Sequence, residues 1–234
     1  MGNLGNMGNM GNMGRVKLNI DGTSVKVREG TTILEAAAVH GITIPTLCHI
    51  KDQLPTGACR VCVVEVEGSR TLMGACHTPV SQGMVVHTHS PKVVAARRVI
   101  VELMLTAHTG DCVNDTNAEN CVLHNLASDY QVGAPRFNVR APRFYPAEEA
   151  NPYIVRDLSK CILCRKCIRA CSDIAGKNIL SIGYRGFRSK VVTGFDEALI
   201  TEVCRDCGIC IEHCPTGALS AAPGFKARKG GAVR

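Results

Sequence analysis

All fourteen cysteines of this chain fall into sets with metal-binding spacing, and none is left over. Cys48, Cys59, Cys62 and Cys76 form a C-x10-C-x2-C-x13-C set. Cys161, Cys164, Cys167 and Cys171 form a C-x2-C-x2-C-x3-C run, which Cys204, Cys207, Cys210 and Cys214 repeat before Pro215. Cys112 and Cys121 follow His108 by four and thirteen residues. Soft thiolates at this density select iron–sulfur clusters or zinc. With so many ligands close together, the chain is expected to be a path for electrons.

A disulfide scaffold is the ordinary alternative for a cysteine-rich chain. It fits poorly at 234 residues with no charged segment leading into a short apolar one. No apolar run reaches the roughly 18 residues of a membrane span, so the chain reads as cytoplasmic. Trp is absent and aromatics make up 4%, which argues against a large aromatic core. Bound metal can supply part of the missing folding free energy. Residues 134–190 carry twelve basic against four acidic residues. That surplus surrounds a cysteine run, so it reads as compensation for anionic clusters and a docking face for an acidic partner, in preference to a nucleic-acid surface.

Residues 2–14 repeat Gly-Asn-Met or Gly-Asn-Leu without proline and read as a disordered leader. Alternation from Val16 to Glu29 around Asp21-Gly22 predicts a β-hairpin. Thr32 to Glu35 reads as a capping box opening a helix that stops at Gly41. Val61–Val66 and Val85–Thr88 read as strands. Ser90-Pro91 starts a helix reaching about Ala107, and a second is expected over Asn120–Tyr130. Four prolines in 134–152 mark a connector. Residues 153–222 hold both cysteine runs, each followed by an expected short helix, and 223–234 form a basic tail.

The first set resembles a plant-type [2Fe–2S] site with a longer spacing before its Cys-x2-Cys pair. Zinc sites of four cysteines usually need a second such pair, which is missing here. In two-cluster ferredoxins the fourth cysteine of each run crosses to the other cluster. By that rule Cys161, Cys164, Cys167 and Cys214 hold one [4Fe–4S] cluster, and Cys204, Cys207, Cys210 and Cys171 the other. His124, one helical turn from Cys121, is a spare candidate ligand. His49 and His213, beside ligating cysteines, read as outer-sphere or surface residues, and His87 and His89 on a strand edge as structural.

Ile44-Pro45-Thr46-Leu47-Cys48, Gly57-Ala58-Cys59-Arg60-Val61-Cys62 and Cys214-Pro215-Thr216-Gly217-Ala218 carry a family resemblance. Over residues 15–222 the chain resembles the N-terminal iron–sulfur module shared by three groups of enzymes: the large iron–sulfur subunit of complex I, NAD-linked hydrogenases and NAD-linked formate dehydrogenases. The resemblance implies an α+β chain. A [2Fe–2S] β-grasp ferredoxin domain would cover 15–89 and a helical His/Cys segment with a [4Fe–4S] cluster 90–133. A bacterial-type 2[4Fe–4S] ferredoxin domain would follow at 153–222. Laid on this chain, the module's H-x3-C-x2-C-x5-C motif gives His108, Cys112, Asp115 and Cys121. Asp115 stands where a cysteine belongs, so the set implies a [4Fe–4S] cluster with carboxylate ligation, a three-iron cluster, or lost metal. The first is preferred.

No dinucleotide fingerprint, P-loop or catalytic triad spacing occurs in the sequence. A non-catalytic electron-relay subunit of a soluble NAD(P)-linked oxidoreductase is therefore expected, a hydrogenase first, with electron bifurcation left open. Its partners would be a flavin- and NAD-binding subunit and a hydrogenase or formate dehydrogenase catalytic subunit. The alternatives are the same role in a formate dehydrogenase or complex I-like enzyme, or a free-standing polyferredoxin.

Overall fold

The computed structural model describes residues 14–108, 121–137, 145, 147, 151–196 and 201–227. They divide into two compact units. One comprises the chain up to Ile44 with Cys62–Val93; the other comprises Pro45–Val61 with everything from Val94 onward. The loop carrying Cys48 and Cys59 thus groups with the second unit. Cys112, Asp115, most of the leader, and parts of the connector and tail lie outside the described residues.

In the first unit, β1 (Arg15–Ile20) and β2 (Thr23–Arg28) form the expected hairpin. Its turn puts Asp21 at φ 49° and Gly22 at φ 83°, the paired left-handed residues that suit the twist of the strands. Leu18, Ile20, Val25 and Val27 alternate into the core, as the period of two requires. The capping box opens α1 (Ile33–Val39). Thr32 Oγ1 accepts from the Glu35 N–H at 3.2 Å, and Glu35 Oε2 accepts from the Thr32 N–H at 2.8 Å. β3 (Val63–Val66), β4 (Met73–Gly74) and β5 (Val85–His87) complete a five-stranded sheet in the order β2-β1-β5-β3-β4. β5 runs parallel to β1 and antiparallel to β3. The result is a mixed sheet with one helix packed into its aliphatic core.

α2 (Pro91–Ala107) begins as expected, with Ser90 Oγ accepting from the Val93 N–H at 3.3 Å. α3 (Val122–Asp129) is slightly shorter than the sequence suggests, with Cys121 as its N-cap. Fully buried Arg97 links α2 to the end of α3 by donating to Tyr130 Oη at 2.8 Å. Further along run β6 (Ile154–Arg156), α4 (Lys166–Arg169), β7 (Ser181–Gly183), β8 (Lys190–Val192), α5 (Thr201–Cys204), α6 (Ile209–Glu212) and β9 (Leu219–Ala221). β6 pairs antiparallel with β9, closing the two cysteine runs into one body, and β7 pairs with β8 between them. α4 and α6 start inside their cysteine runs, where the sequence suggests helices after them. The cause is local: Arg165 and Gly208, each directly after the second cysteine of its run, take left-handed φ values of 64° and 74°. That turn starts the helix early enough to carry the third cysteine.

Candidate metal centres

Each cysteine set is held by short, local devices. Cys62 immediately precedes β3 and Cys76 follows Ala75, the residue after β4. Because Val63 pairs with Gly74, the β3–β4 hairpin brings both thiols into the first unit's core, where they are 3% and 2% exposed. The His77 ring packs over Gly74, where a Cβ would lie 2.2 Å from it, so a side chain there would displace that exposed ring. In the second unit, the loop 45–61 turns through Gly57 and Arg60, both at positive φ. It brings the Cys59 N–H to 3.5 Å from Cys48 Sγ. The Cys48 thiol is lowered to about 5, chiefly by the hydrogen bond from the Cys59 side chain, while that same bond and burial push Cys59 up.

The two C-x2-C-x2-C-x3-C runs exchange their last cysteines in space. Cys161, Cys164, Cys167 and Cys214 line one cavity with Leu158, Val191 and Leu219. Cys171, Cys204, Cys207 and Cys210 line a second with Ile154, Ala175 and Leu180. The Leu163 N–H donates to Cys161 Sγ at 3.4 Å and the Ile179 N–H to Cys171 Sγ at 3.3 Å. Such bonds stabilise a reduced, more negative cluster. Burial pushes the Cys164 and Cys210 thiols up to about 12, helped by the charges of neighbouring cysteines. Cys167 is raised for the same reasons. Four such thiols cannot ionise together without a compensating cation, so this donor set fits a group that carries its own positive iron.

In the middle region, His108 is 7% exposed and Cys121 2%. His108 Nδ1–H donates to the Lys160 carbonyl at 2.9 Å. That bond fixes the tautomer and leaves Nε2 3.8 Å from Cys121 Sγ. Burial also lowers the His108 pKa, which favours the neutral, ligating ring. His124 joins them: its ring centroid lies 5.3 Å from that of His108, and its ligand atom falls within 4.8 Å of both other donors. Sequence spacing alone makes His124 no more than a spare; its Cys-x2-His interval on a helix N-terminus is the signal that points to it. Two of the other histidines have structural partners. The His87 ring lies 3.0 Å from Glu67 Oε1, and the His213 ring donates to the Ile209 carbonyl at 3.0 Å.

This geometry defines an iron–sulfur protein with a ferredoxin-like sheet domain and a two-cavity cysteine domain. Three family matches agree, in chain order. Residues 14–91 match the 2Fe-2S iron-sulfur cluster binding domain. Residues 97–136 match the NADH-ubiquinone oxidoreductase-G iron-sulfur binding region. Residues 151–220 match the ferredoxin-like domain of NADH-quinone oxidoreductase subunit 3. The three matches together run along most of the chain, and each is to an iron–sulfur binding or ferredoxin-like region.

The chain is 40% identical to the NADP-reducing hydrogenase subunit HndD of Solidesulfovibrio fructosivorans, over 86% of this chain and 35% of that protein. It is 42% identical to the NADPH-Fe(3+) oxidoreductase subunit alpha of Geobacter sulfurreducens, over 91% of this chain and 25% of the other. With a subunit of the NADH-quinone oxidoreductase of Rhizobium meliloti it shares 36% identity, over 91% and 25%. It therefore spans only a quarter to a third of these relatives. A chain in the crystal structure of an NAD+-reducing [NiFe]-hydrogenase in its H2-reduced state superposes with a TM-score of 0.75 at 29% identity, covering 92% of this chain and 90% of that one.

Proposed function

We propose that the chain is the iron–sulfur relay subunit of a multi-subunit, cytoplasmic NAD(P)-linked oxidoreductase, a hydrogenase in the first instance. It would carry electrons between a flavin- and NAD-binding subunit and a substrate-converting subunit. Cys48, Cys59, Cys62 and Cys76 would hold a [2Fe–2S] cluster, and the two crossed sets, Cys161, Cys164, Cys167 with Cys214 and Cys204, Cys207, Cys210 with Cys171, a [4Fe–4S] cluster each. His108, Cys112 and Cys121 would form a further metal centre, with Asp115 as its remaining donor on the sequence reading. When bound, the clusters supply reversible one-electron oxidation and reduction.

One observation supports the relay above all. Ligand candidates of successive sets share packed cores in the second unit: Cys48, Cys59, Cys121 and Cys164 are members of one. Cys167, Cys171 and Cys204 belong to the next, with Cys161, Cys210 and Cys214 packed against it. Apolar residues such as Leu47, Leu123, Leu158 and Leu219 fill the spaces and exclude water, which lowers the reorganisation required by each transfer. None of the described helices is long and apolar enough to cross a membrane.

Size-exclusion chromatography of native extract, with mass spectrometry of the co-eluting proteins, tests the assignment. Co-elution with a flavoprotein and a hydrogenase catalytic subunit is expected. A free species near 25.0 kDa would defeat the subunit reading.

A further inference from the structure

We infer that Lys177 raises the reduction potential of the cluster that Cys171, Cys204, Cys207 and Cys210 would hold, by fixing a positive charge beside the place where the electron settles. The inference rests on the relay reading of the chain. It deepens that reading by naming a side chain that governs one of the relay's hops.

The segment after the first cysteine run builds this position. Gly176 and Asn178 take left-handed φ values of 65° and 51°, and the turn they make folds the chain back over Cys171. The Lys177 N–H donates to the Cys171 carbonyl at 2.9 Å, and the Ile179 N–H to Cys171 Sγ at 3.3 Å. From there the Lys177 side chain reaches the other run, where Nζ donates to the Val203 carbonyl. That carbonyl belongs to the peptide unit leading into Cys204. Lys177 is thus tied at both ends to residues of a single candidate ligand set.

Its charge is the feature that a purely structural tie would not need. Among the described residues lining the second cavity, Lys177 alone carries a charged side chain, and the walls between the cysteines are otherwise apolar. Three other basic side chains of this unit meet carboxylates: Lys160 pairs with Asp157, Arg169 with Asp173 and Lys190 with Asp196. Lys177 meets a neutral carbonyl instead, and no carboxylate among the described residues pairs with it. Burial and the charges of Cys207 and Cys171 push the Cys204 thiol up, and Lys177 opposes them. The residue is half-buried, where solvent and salt screen less than at the surface. Arg165, the charged residue in the wall of the first cavity, is exposed.

Reduction brings one electron from the preceding group in the relay and adds one negative charge to the cluster, with no bond made or broken. A nearby cation stabilises the more negative state more than the less negative one, so it raises the potential. The ammonium would make this cluster easier to reduce than its four thiolates alone allow. It would thereby set the driving force of the hop that ends there.

Redox titration of the full chain, purified anaerobically with its clusters and followed by EPR, tests the inference. Cys171→Ser identifies the signal to follow. Lys177→Gln keeps a donor for the Val203 carbonyl and removes the charge. It should shift that cluster's reduction equilibrium roughly tenfold towards the oxidised form, about 59 mV for one electron, and leave the other signals in place. Lys177→Arg should restore the wild-type midpoint. An unmoved midpoint, an equal fall in both ferredoxin-type clusters, or an arginine variant as low as the glutamine variant would each overturn the inference. If Lys177→Gln fails to hold the cluster, Lys177→Met takes its place. Loss of the cluster from both would also overturn the inference, since residue 177 would then serve to hold the site together. A wild type without the Cys171-dependent signal would sink the relay reading and this inference with it, whereas a wild-type signal that Lys177→Gln leaves in place sinks the inference alone.

Discussion

Arg165 and Gly208 occupy the same place in the two cysteine runs and meet the same backbone demand with different side chains. Each takes a left-handed φ so that the helix carrying the third cysteine can begin. A left-handed residue other than glycine costs about 1–2 kcal/mol, and Arg165 bears that strain. At Gly208 a Cβ would also sit 2.7 Å from Ala227 Cβ. Gly208→Ala should therefore destabilise the second unit by about 1–3 kcal/mol, read as earlier loss of cluster absorbance on heating. An unchanged midpoint would show that the segment around Ala227 yields freely. The cavity lining also separates the two fourth cysteines. Cys214→Ser should disturb the cluster of Cys161, Cys164 and Cys167, and Cys171→Ser the cluster of Cys204, Cys207 and Cys210. EPR of the reduced proteins distinguishes the two signals. The same signal altered by both variants would contradict the crossed pairing.

At the level of elements, α2 is held less by its own sequence than by what its charged residues find. Glu102, 5% exposed, accepts from Arg136 three times, from its backbone N–H, Nε and Nη2 at 2.7, 2.9 and 2.7 Å. The side-chain hydrogen bond from Arg136 lowers the Glu102 carboxyl to about 2. A depressed folded-state pKa gives stability that is fully present above the unfolded value of 4.5 and is lost as pH falls towards 2. The difference in melting temperature between wild type and Glu102→Gln should stay constant from about pH 8 to pH 5 and shrink below about pH 4.5. A difference that persists undiminished at pH 3 would mean the ion pair is not what Glu102 contributes. α1 is simpler. Its capping box is complete, and Thr32→Ala should cost about 0.5–2 kcal/mol, visible as faster amide exchange in residues 33–39.

Over the whole molecule, the two units depend on metal to different degrees. The first unit's core is aliphatic, built on Leu18, Ile20, Val25, Ile33, Val64 and Val86, with Cys62 and Cys76 as its only buried cysteines among the described residues. In the second, Cys167, Cys171 and Cys204 are themselves core members, with Cys161, Cys210 and Cys214 packed against them. Removing metal leaves buried thiols, held neutral by burial, where clusters would stand. Hydrogen exchange of the chelator-treated protein should keep protection in β1 and β2 and lose it in residues 151–222. Equal loss in both regions would show that the first unit also needs its cluster to fold.

Much of this protein could be read from spacing. The Asp21-Gly22 turn, the Thr32–Glu35 cap and the Ser90-Pro91 start are local signals, because the residues that make each structure are neighbours in the chain. The spacing rule also expects Cys171 and Cys214 to cross between the runs, since four thiolates within eleven residues cannot all reach one ion without strain, and each lines the cavity of the other run's cysteines. The sequence by itself thus determined which residue types are gathered and at what intervals. Only the tertiary structure decided that the loop 45–61 groups with the second unit, that Arg97 and Glu102 are buried with distant partners, and that His124 closes on His108 and Cys121. The physical reason is common to all three. Each depends on contacts between segments far apart in the chain, where burial and donor geometry, invisible to local periodicity, set the outcome.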